Sequence, residues 1–295
     1  DYRVAKGRYG NDDKYDVLCP ECESIFLVDD WQSGCSCREC GNSFVPSNGN
    51  ADRGRYNCSE CGQKYDIIDG IQEQGGFDTH LYAVEYYCPT CDHQGRSKGE
   101  VKGFKGATTF DQNLFVQASE ELENSSEIKQ YFPDSEIREG AKTAKSSIDG
   151  PDMFEHGYQQ WSDIYNSRQL LCLSKLLKTI DQVEDRNIRE YLLIAFSDSL
   201  MFQNTFTIYN LHRHCIEGIF RSNSFGAQMD FVENNVWGAE YGRGTYTSSF
   251  DKVVSGVEYA SSPTERYIQE GDTKETDEFN QSIGEDAEIN LGDMR

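Results

Sequence analysis

Eight of the eleven cysteines lie in the first 91 residues as four Cys-x-x-Cys pairs, and this spacing limits the possible fold more than any other feature. Two intervening residues let one turn present two sulfurs to a tetrahedral metal ion, at metal–sulfur distances of about 2.3 Å. Two pairs begin Cys-Pro and two end Cys-Gly, which is typical of zinc knuckles, because proline fixes the entry and glycine permits the tight exit. The sequence therefore predicts two structural zinc ions with these eight ligands: Cys19, Cys22, Cys37, Cys40, Cys58, Cys61, Cys88 and Cys91.

The order in which the pairs combine is open at this point. The segment between Cys22 and Cys37 and the longer segment between the third and fourth pairs are each long enough for a hairpin, so sequential pairing gives two consecutive zinc ribbons. A nested arrangement, in which the first pair joins the fourth, satisfies the same spacing. Cys35 and His93 lie beside knuckles and are alternative ligands. Four thiolates leave no coordination position for water or substrate, so the ions are expected to stabilise the fold without catalysing a reaction.

The composition bears on the partners and on the compartment. The chain has 51 acidic and 28 basic residues and a formal charge of −23, so any contact with nucleic acid must be local. Acidic groups spread along the whole chain suggest a halophilic source, because a Debye length of about 3 Å at 1 M salt screens self-repulsion. No apolar run approaches the ~20 residues of a membrane span, and the first residues lack the apolar core of a signal peptide. We expect a soluble, cytoplasmic protein, in which reduced cysteines favour metal over disulfides.

Residues 1–108 are predicted to form a tandem zinc-ribbon domain of small strands. Short apolar runs at 24–28, 65–68 and 81–87 stand between turn signals, as strands around metal knuckles do. The densest basic cluster follows the second ribbon, and its four charges can contact phosphates: Arg96, Lys98, Lys102 and Lys105. The alternative interpretation of this cluster is a solvated loop that supplies some positive charge to an acidic protein.

The remainder of the chain is predicted to be mainly helical, which makes the fold class α+β. Residues 109–150 should form one helix and a connector, and residues 151–262 a mainly helical domain. Within that domain, Asn166 stands three residues before Gln169 in a capping arrangement, followed by apolar residues at helical spacing. Further helices are expected over 188–200 and 206–220.

Residues 263–295 are predicted to be an acidic linker followed by the start of a strand of a catalytic domain. Eight acidic residues and one lysine lie between Glu270 and Glu288, which is typical of a solvated connector. The last nine residues, AEINLGDMR, are more apolar again and predict the strand.

Two other motifs are weaker indications of a site. His212 and His214, beside Cys215, would point about 200° apart on a helix and therefore cannot share one ion without distortion. The run 242–245, Gly-Arg-Gly-Thr, resembles a fragment of a phosphate loop but lacks the lysine of such loops, so a tight turn is the expected structure. The chain shows no complete active site.

Three segments carry a resemblance to a known family: DIYNSRQLLCLSKLLKTI (163–180), REYLLIAFSDSLMFQNTFTIYN (189–210) and VENNVWGAEYGRGTY (232–246). Together with the knuckles, the chain over about residues 15 to 260 resembles the zinc-ribbon-containing adenine-specific DNA methylases of bacteria and archaea. In that family such a region lies between a glycine-rich loop that binds S-adenosylmethionine and an Asp-Pro-Pro-Tyr segment, and neither motif is present here. The closing NLGDMR is similar to the strand and acidic turn shortly before that segment, which implies that Asp293 is near the cofactor.

The resemblance implies that this chain is a portion or one subunit of an S-adenosylmethionine-dependent DNA methyltransferase. Its first residue, Asp1, is not an initiating methionine, which fits that expectation. Such an enzyme transfers a methyl group to an exocyclic amine of a base swung out of the duplex, and its partners would be DNA and the remaining methyltransferase segments or subunit. This region would contribute recognition and scaffold, with DNA contacts from the ribbons and from these side chains: Arg168, Gln169, Asn234, Asn235 and Arg243.

Two alternatives stay open beside this interpretation. In the first, Arg168 and Gln169 serve as helix cap and surface solvation, and Asn234 and Asn235 form a turn. The whole chain would equally be a non-catalytic zinc-ribbon adaptor that binds protein or nucleic-acid partners, which its acidic surface suits.

Overall fold

The computed structural model describes residues 14–263 and three short strands outside that range, at Val4–Ala5, Glu265–Gln269 and Asp272–Thr276. Within 14–263 the description leaves out these positions: 50, 53, 59, 77–78, 98–99, 141, 145–151, 211–214, 222–223, 226–230 and 239–241. His212, His214 and Lys98 therefore lie outside the described residues, as do Asp293 and the predicted final strand.

The N-terminal region consists of small antiparallel sheets joined by knuckles. Its strands are β1 (Val4–Ala5), β2 (Tyr15–Leu18), β3 (Ile25–Val28), β4 (Cys35–Ser36), β5 (Ser43–Phe44), β6 (Ala51–Asp52), β7 (Arg55–Asn57), β8 (Lys64–Asp66), β9 (Ala83–Tyr87) and β10 (Lys102–Gly106), and its helices are α1 (Ile67–Gln74) and α2 (Pro89–His93). The hydrogen-bonded sets are β1-β2-β3, β4-β5, β6-β7-β8 and β9-β10.

The predicted strand at 65–68 is only half correct. The chain leaves β8 at Asp66 and continues as helix α1, whose buried residue is Ile71. Ile67 and Ile71 are four residues apart and so lie on the same face of that helix. The helix ends at Gly75, which adopts the left-handed conformation (φ 85°) that glycine tolerates best.

In the described residues five α-helices follow the ribbons: α3 (Thr109–Asn124), α4 (Ser126–Lys129), α5 (Ser167–Asp181), α6 (Arg186–Leu200) and α7 (Tyr246–Ser261); a short 3-10 helix, Trp161–Ile164, precedes α5. The helix predicted at the start of residues 109–150 is confirmed as α3, and so is the capping arrangement at the start of α5. The Asn166 side chain accepts a hydrogen bond from the Gln169 backbone N–H, and the Gln169 side chain accepts one from the Asn166 backbone. The helices form an array in which α3 and α4 contact α5, α5 contacts α6, and α6 contacts α7.

The helix predicted over 206–220 is wrong. The chain there forms β11 (Ile208–Asn210), β12 (Cys215–Glu217) and β13 (Phe220–Arg221), and β13 pairs with β14 (Ser224–Phe225). β-branched and aromatic residues dominate 205–209, and such side chains favour strands over helices. The apolar spacing there matched a helical period by coincidence. A further hairpin, β15 (Glu265–Gln269) and β16 (Asp272–Thr276), lies in the stretch predicted as an acidic linker.

The core of the helical region consists of three apolar clusters. One surrounds Phe206 and contains Ile137, Met153, Tyr158, Ile164 and Ile219. A second lies between α5, α6 and α7 and contains Leu173, Ile180, Ala195, Phe196 and Tyr246. A third joins α3, α4 and α5 through Leu122, Ile128 and Leu171. The segment predicted as a connector thus supplies core residues.

We predict opposite effects of the same substitution at two glycines. Gly244 has φ 68°, and an added Cβ would lie 2.1 Å from the Phe202 ring atom Cγ, so Gly244→Ala should destabilise the helical region by more than about 1 kcal/mol. Gly256 lies inside α7 with no atom within 4 Å of an added Cβ, so Gly256→Ala should stabilise it by about 0.5–1 kcal/mol. Urea unfolding followed by circular dichroism measures both, and equal effects would contradict the prediction.

Candidate metal centre

The first two Cys-x-x-Cys pairs form one cluster. The sulfur atoms of Cys19, Cys22, Cys37 and Cys40 all lie within 4.8 Å of one another. The separations Cys19 Sγ to Cys40 Sγ and Cys22 Sγ to Cys37 Sγ are both 3.6 Å. A tetrahedron with metal–sulfur bonds of about 2.3 Å has edges of about 3.8 Å. The four sulfurs are therefore placed to hold one metal ion, and the pairing of the first two pairs is sequential.

The backbone of each knuckle fixes this sulfur geometry. The carbonyl of Cys19 accepts from the N–H of Glu23 (3.0 Å), and the carbonyl of Cys37 accepts from the N–H of Gly41 (3.0 Å). The residue that donates each of these hydrogen bonds has a positive φ, 57° at Glu23 and 76° at Gly41. Glycine adopts this conformation without strain, whereas a residue with a side chain does so at a cost.

Hydrogen bonds within the cluster favour the ionised sulfur that a metal needs. The hydroxyl of Ser24 lies 3.0 Å from Cys37 Sγ and 3.2 Å from Cys22 Sγ. The hydrogen bond from Ser24, followed by backbone N–H groups, lowers the pKa of Cys37 to about 6. For Cys40, the backbone of Asn42 lowers the pKa, but desolvation and the neighbouring sulfurs together raise it to about 12. A bound cation would remove this repulsion and deprotonate the thiols.

The donor set identifies the suitable class of metal. Four thiolates in a tetrahedron suit zinc or iron, and because no coordination position would stay open, an ion held there would have a structural role. Cys35, an alternative ligand by its spacing, lies on β4 opposite Phe44 and outside the cluster. Burial, followed by the nearby Cys19 and Cys37 charges, raises the pKa of Cys35, so it is less ready to act as a thiolate ligand.

The third and fourth pairs are each locally ordered but are not gathered into a second cluster. Across the described residues, the first quartet is the one group of three or more potential ligands that meets the 4.8 Å separation. The Cys58 turn nevertheless repeats the ligating knuckles: its carbonyl accepts from the N–H of Gly62 (2.9 Å), which has φ 71°. Cys88 precedes α2, and its sulfur accepts from the Cys91 N–H at 3.4 Å. His93, the other alternative ligand, is exposed at the end of α2.

The basic cluster after the fourth pair is partly engaged with carboxylates. Lys102 forms an ion pair with Glu85 (2.6 Å), and Lys105 forms one with Asp111 (2.8 Å). Lys105 lowers the pKa of Asp111 well below its usual range, with a further contribution from Thr108. Arg96 is exposed. Arg96 is therefore the described member of this cluster that is best placed to contact an external anion.

Two further candidates for nucleic-acid contact, Arg168 and Gln169, lie in the first turn of α5. Arg168 donates two hydrogen bonds to the Glu233 carboxylate, at 2.7 and 2.9 Å, and its guanidinium lies over the Phe115 ring. Asn166 donates to the same carboxylate at 2.9 Å. Gln169 is fully buried, and within the described structure its side-chain Nε2 has no hydrogen-bond partner. Glu233, which no local sequence pattern marks, is thus the acceptor that Asn166 and Arg168 share.

The remaining three candidates order the loop before α7. Asn234 donates to the carbonyl of Arg243 (2.8 Å), and Asn235 accepts from the N–H of Gly238 (2.9 Å). The Arg243 guanidinium lies over the Phe202 ring and donates to Cys215 Sγ (3.3 Å), although the residue is largely exposed. These contacts give each side chain a structural role, and its contact with nucleic acid stays a prediction.

The Gly-Arg-Gly-Thr run is a turn and not a phosphate-binding loop. The first N–H groups of α7 are already used: those of Tyr246 and Thr247 donate to the carbonyls of Val236 and Trp237, each at 2.9 Å. The next, that of Ser248, donates to the Thr245 side chain. These donors are therefore not free to bind an anion in the way that a phosphate loop requires.

Ser24 belongs to the metal centre although it is not a cysteine. A hydroxyl residue two positions after Cys22 is the signal, because that position places it between two ligating sulfurs. No comparable signal marks Glu233, whose partners are 65 and 67 residues away in the chain.

Comparison of the chain with protein-family models, with curated proteins and with solved structures gives no match. Over the described residues, none of the helices combines the length and the apolar character that a bilayer span requires.

We predict that Cys37→Ser lowers the zinc content by one ion per chain, because it removes one of four ligands from a closed tetrahedron. Cys35→Ser, the same change two residues earlier, should leave the zinc content unchanged. Elemental analysis of both variants after gel filtration measures this. Equal zinc in all three proteins would contradict the assignment of the site.

Proposed function

We propose that this chain is the zinc-ribbon and helical portion of an S-adenosylmethionine-dependent, adenine-specific DNA methyltransferase, to which it contributes scaffold and nucleic-acid recognition. One observation supports this most: the three segments that carry the family resemblance converge in space. Gln203, from the second segment, is fully buried and donates to the carbonyls of Asn235 and Gly244 in the third, each at 2.9 Å. Glu233 of the third segment binds Arg168 of the first.

The convergence also includes hydrogen bonds from Thr205 and Thr207. Thr205 donates its hydroxyl to the carbonyl of Ile164 (2.8 Å), and Thr207 donates to that of Val232 (2.9 Å). Buried polar groups of this kind are costly unless they are paired, so they specify one arrangement of the three segments. The three segments that resemble one family thus pack against one another, as they would in a single domain of that family.

In the proposed enzyme the chemistry belongs to other segments. The glycine-rich loop and the Asp-Pro-Pro-Tyr segment, absent from this sequence, would bind the methyl donor and the target amine. This chain would supply a platform held rigid by metal, with Arg96 as its exposed cation beside the fourth pair. Asp293 is proposed to lie near the cofactor, by resemblance alone.

We also propose a second zinc ion, held by Cys58, Cys61, Cys88 and Cys91. The Cys58 turn already has the backbone hydrogen bonds of the two ligating knuckles. The hydroxyl of Tyr65, followed by backbone groups, lowers the pKa of Cys61, and the hydrogen bonds with Cys91 lower that of Cys88. Each pair thus has one sulfur that ionises readily, and a metal would join the two pairs.

Zinc stoichiometry tests the second site. We predict two zinc ions per chain in the wild-type protein and one in Cys61→Ser or Cys88→Ser, because each substitution opens one tetrahedron and leaves the other complete. Cys172→Ser, which changes a cysteine on α5 far along the chain from any knuckle, is the control and should retain two ions. A wild-type value of one ion would contradict the second site and leave the first intact.

Binding of a duplex DNA oligonucleotide tests the proposed recognition role. We predict weak binding that falls with salt, and a further loss of about tenfold in Arg96→Glu, with a reduction of about one in the slope of log affinity against log salt. Arg186→Glu makes the same charge change at an exposed residue of α6 and is the control. Fluorescence anisotropy at several salt concentrations measures both variants. Equal losses in the two would contradict a local DNA contact.

One observation favours the second candidate, a non-catalytic adaptor that binds protein partners. Three cations proposed to contact DNA, those of Lys102, Lys105 and Arg168, are already paired with carboxylates of this chain. The reading frame beyond Arg295 separates the candidates. An Asp-Pro-Pro-Tyr segment shortly after it would support the methyltransferase, and its absence together with no DNA binding would support the adaptor.

A further inference from the structure

Helix α7 is the outermost member of the helix array, and its two flanks differ. One flank faces α6: Ser249 and Lys252 donate to the Asp198 carboxylate, each at 2.7 Å. Val253 and Tyr246 contact the apolar cluster between the helices. Among the described helices, only α6 has an extensive contact with α7, and the opposite flank of α7 has no helix packed against it to a similar extent.

That other flank carries an exposed apolar stripe. Phe250, Val254 and Val257 are 40%, 37% and 40% exposed. Successive residues turn by about 100°, so these three positions, spaced by four and three residues, share one face. By the same rotation they lie roughly 40–100° from Val253, in the direction opposite to Lys252. Their spacing is that of a helix that packs against another helix.

A line of negative charge borders the stripe. Asp251 and Glu258 are seven residues apart, so they lie one above the other on the solvent side of the stripe. Both are exposed. The one basic residue of α7, Lys252, is on the opposite flank and is paired with Asp198. The solvent-facing border of the stripe is therefore acidic, and α7 has no basic residue on that side to neutralise its two carboxylates.

This charge pattern discriminates between occupants. If a second copy packed its own α7 antiparallel across the stripe, Asp251 of one copy would face Glu258 of the other, and like charges would repel. An amphipathic helix with lysine or arginine beside its apolar face would instead form ion pairs along the edge. We infer that the stripe Phe250, Val254, Val257, edged by Asp251 and Glu258, docks a basic amphipathic helix of a protein partner. This inference does not rest on the proposed methyl transfer.

Two synthetic peptides of about five helical turns test it. Both carry leucine along one face, and the other positions are lysine in one peptide and glutamate in the other. Anisotropy titration against the full, zinc-loaded chain at about 0.15 M salt, where the Debye length is near 8 Å, should show binding of the lysine peptide only. Asp251→Lys combined with Glu258→Lys should reverse the preference. Equal binding of the two peptides by the wild-type protein would overturn the inference.

A matched pair of variants separates the stripe from general attraction to an acidic protein. Val254→Asp places a charge inside the apolar contact and should weaken binding of the lysine peptide by about tenfold or more. Val116→Asp makes the same change at an exposed valine of α3 (52% exposed) and should alter it less than about twofold. Circular dichroism checks that both variants fold. Equal effects of the two, or a wild-type dimer that Val254→Asp dissociates, would overturn the proposal.

Discussion

Four sulfur atoms within 4.8 Å of one another cannot all be ionised unless a cation lies between them. The first ribbon depends on this constraint, because the strands that flank the two knuckles are only two to four residues long and bury little apolar surface. Sheets of that size are marginal by themselves. Metal–sulfur bonds would supply the free energy that a hydrophobic core supplies elsewhere, and the Ser24 hydroxyl, 3.0 Å from Cys37 Sγ, favours the ionised state of that sulfur.

The helical region is held together differently. Its helices enclose apolar clusters, but the arrangement of its loops depends on buried amide and hydroxyl groups. Gln203 joins two loop carbonyls, and Glu233 joins the start of α5 to the loop before α7. These contacts connect residues more than 30 positions apart in sequence. They explain why residues that resemble recognition side chains, such as Arg168 and Asn235, have structural partners in this fold.

Local signals made much of the structure predictable, and distant contacts limited the rest. The spacing of the Cys-x-x-Cys pairs predicted ligand pairs for a metal, although not which pairs combine, and the Asn166–Gln169 pair predicted the start of α5, because each signal depends on residues a few positions apart. The helix expected over 206–220 failed because Phe206 is buried in a cluster with residues such as Met153, which no local period reveals. Helix α7 was not singled out because its cap, Thr245, lies inside a glycine-rich turn that resembled a ligand loop. The third and fourth cysteine pairs show the same limit: each pair is locally formed, but the described structure does not bring the two pairs within ligating distance of each other.

The ribbons and the helices meet through polar and backbone contacts. The hydroxyl of Tyr209 on β11 donates to Glu85 on β9 at 3.4 Å, and the backbone at Gly157 lies against that of Gly75. Among the described elements, no helix or strand of one region has an extensive contact with one of the other. The helical region therefore has its own apolar core, whereas the first ribbon, with its short strands, would depend on coordination bonds to a metal. If the quartet binds its metal, a chelator would unfold the first ribbon and leave the helical region folded, because the coordination bonds and the apolar clusters belong to different parts of the chain.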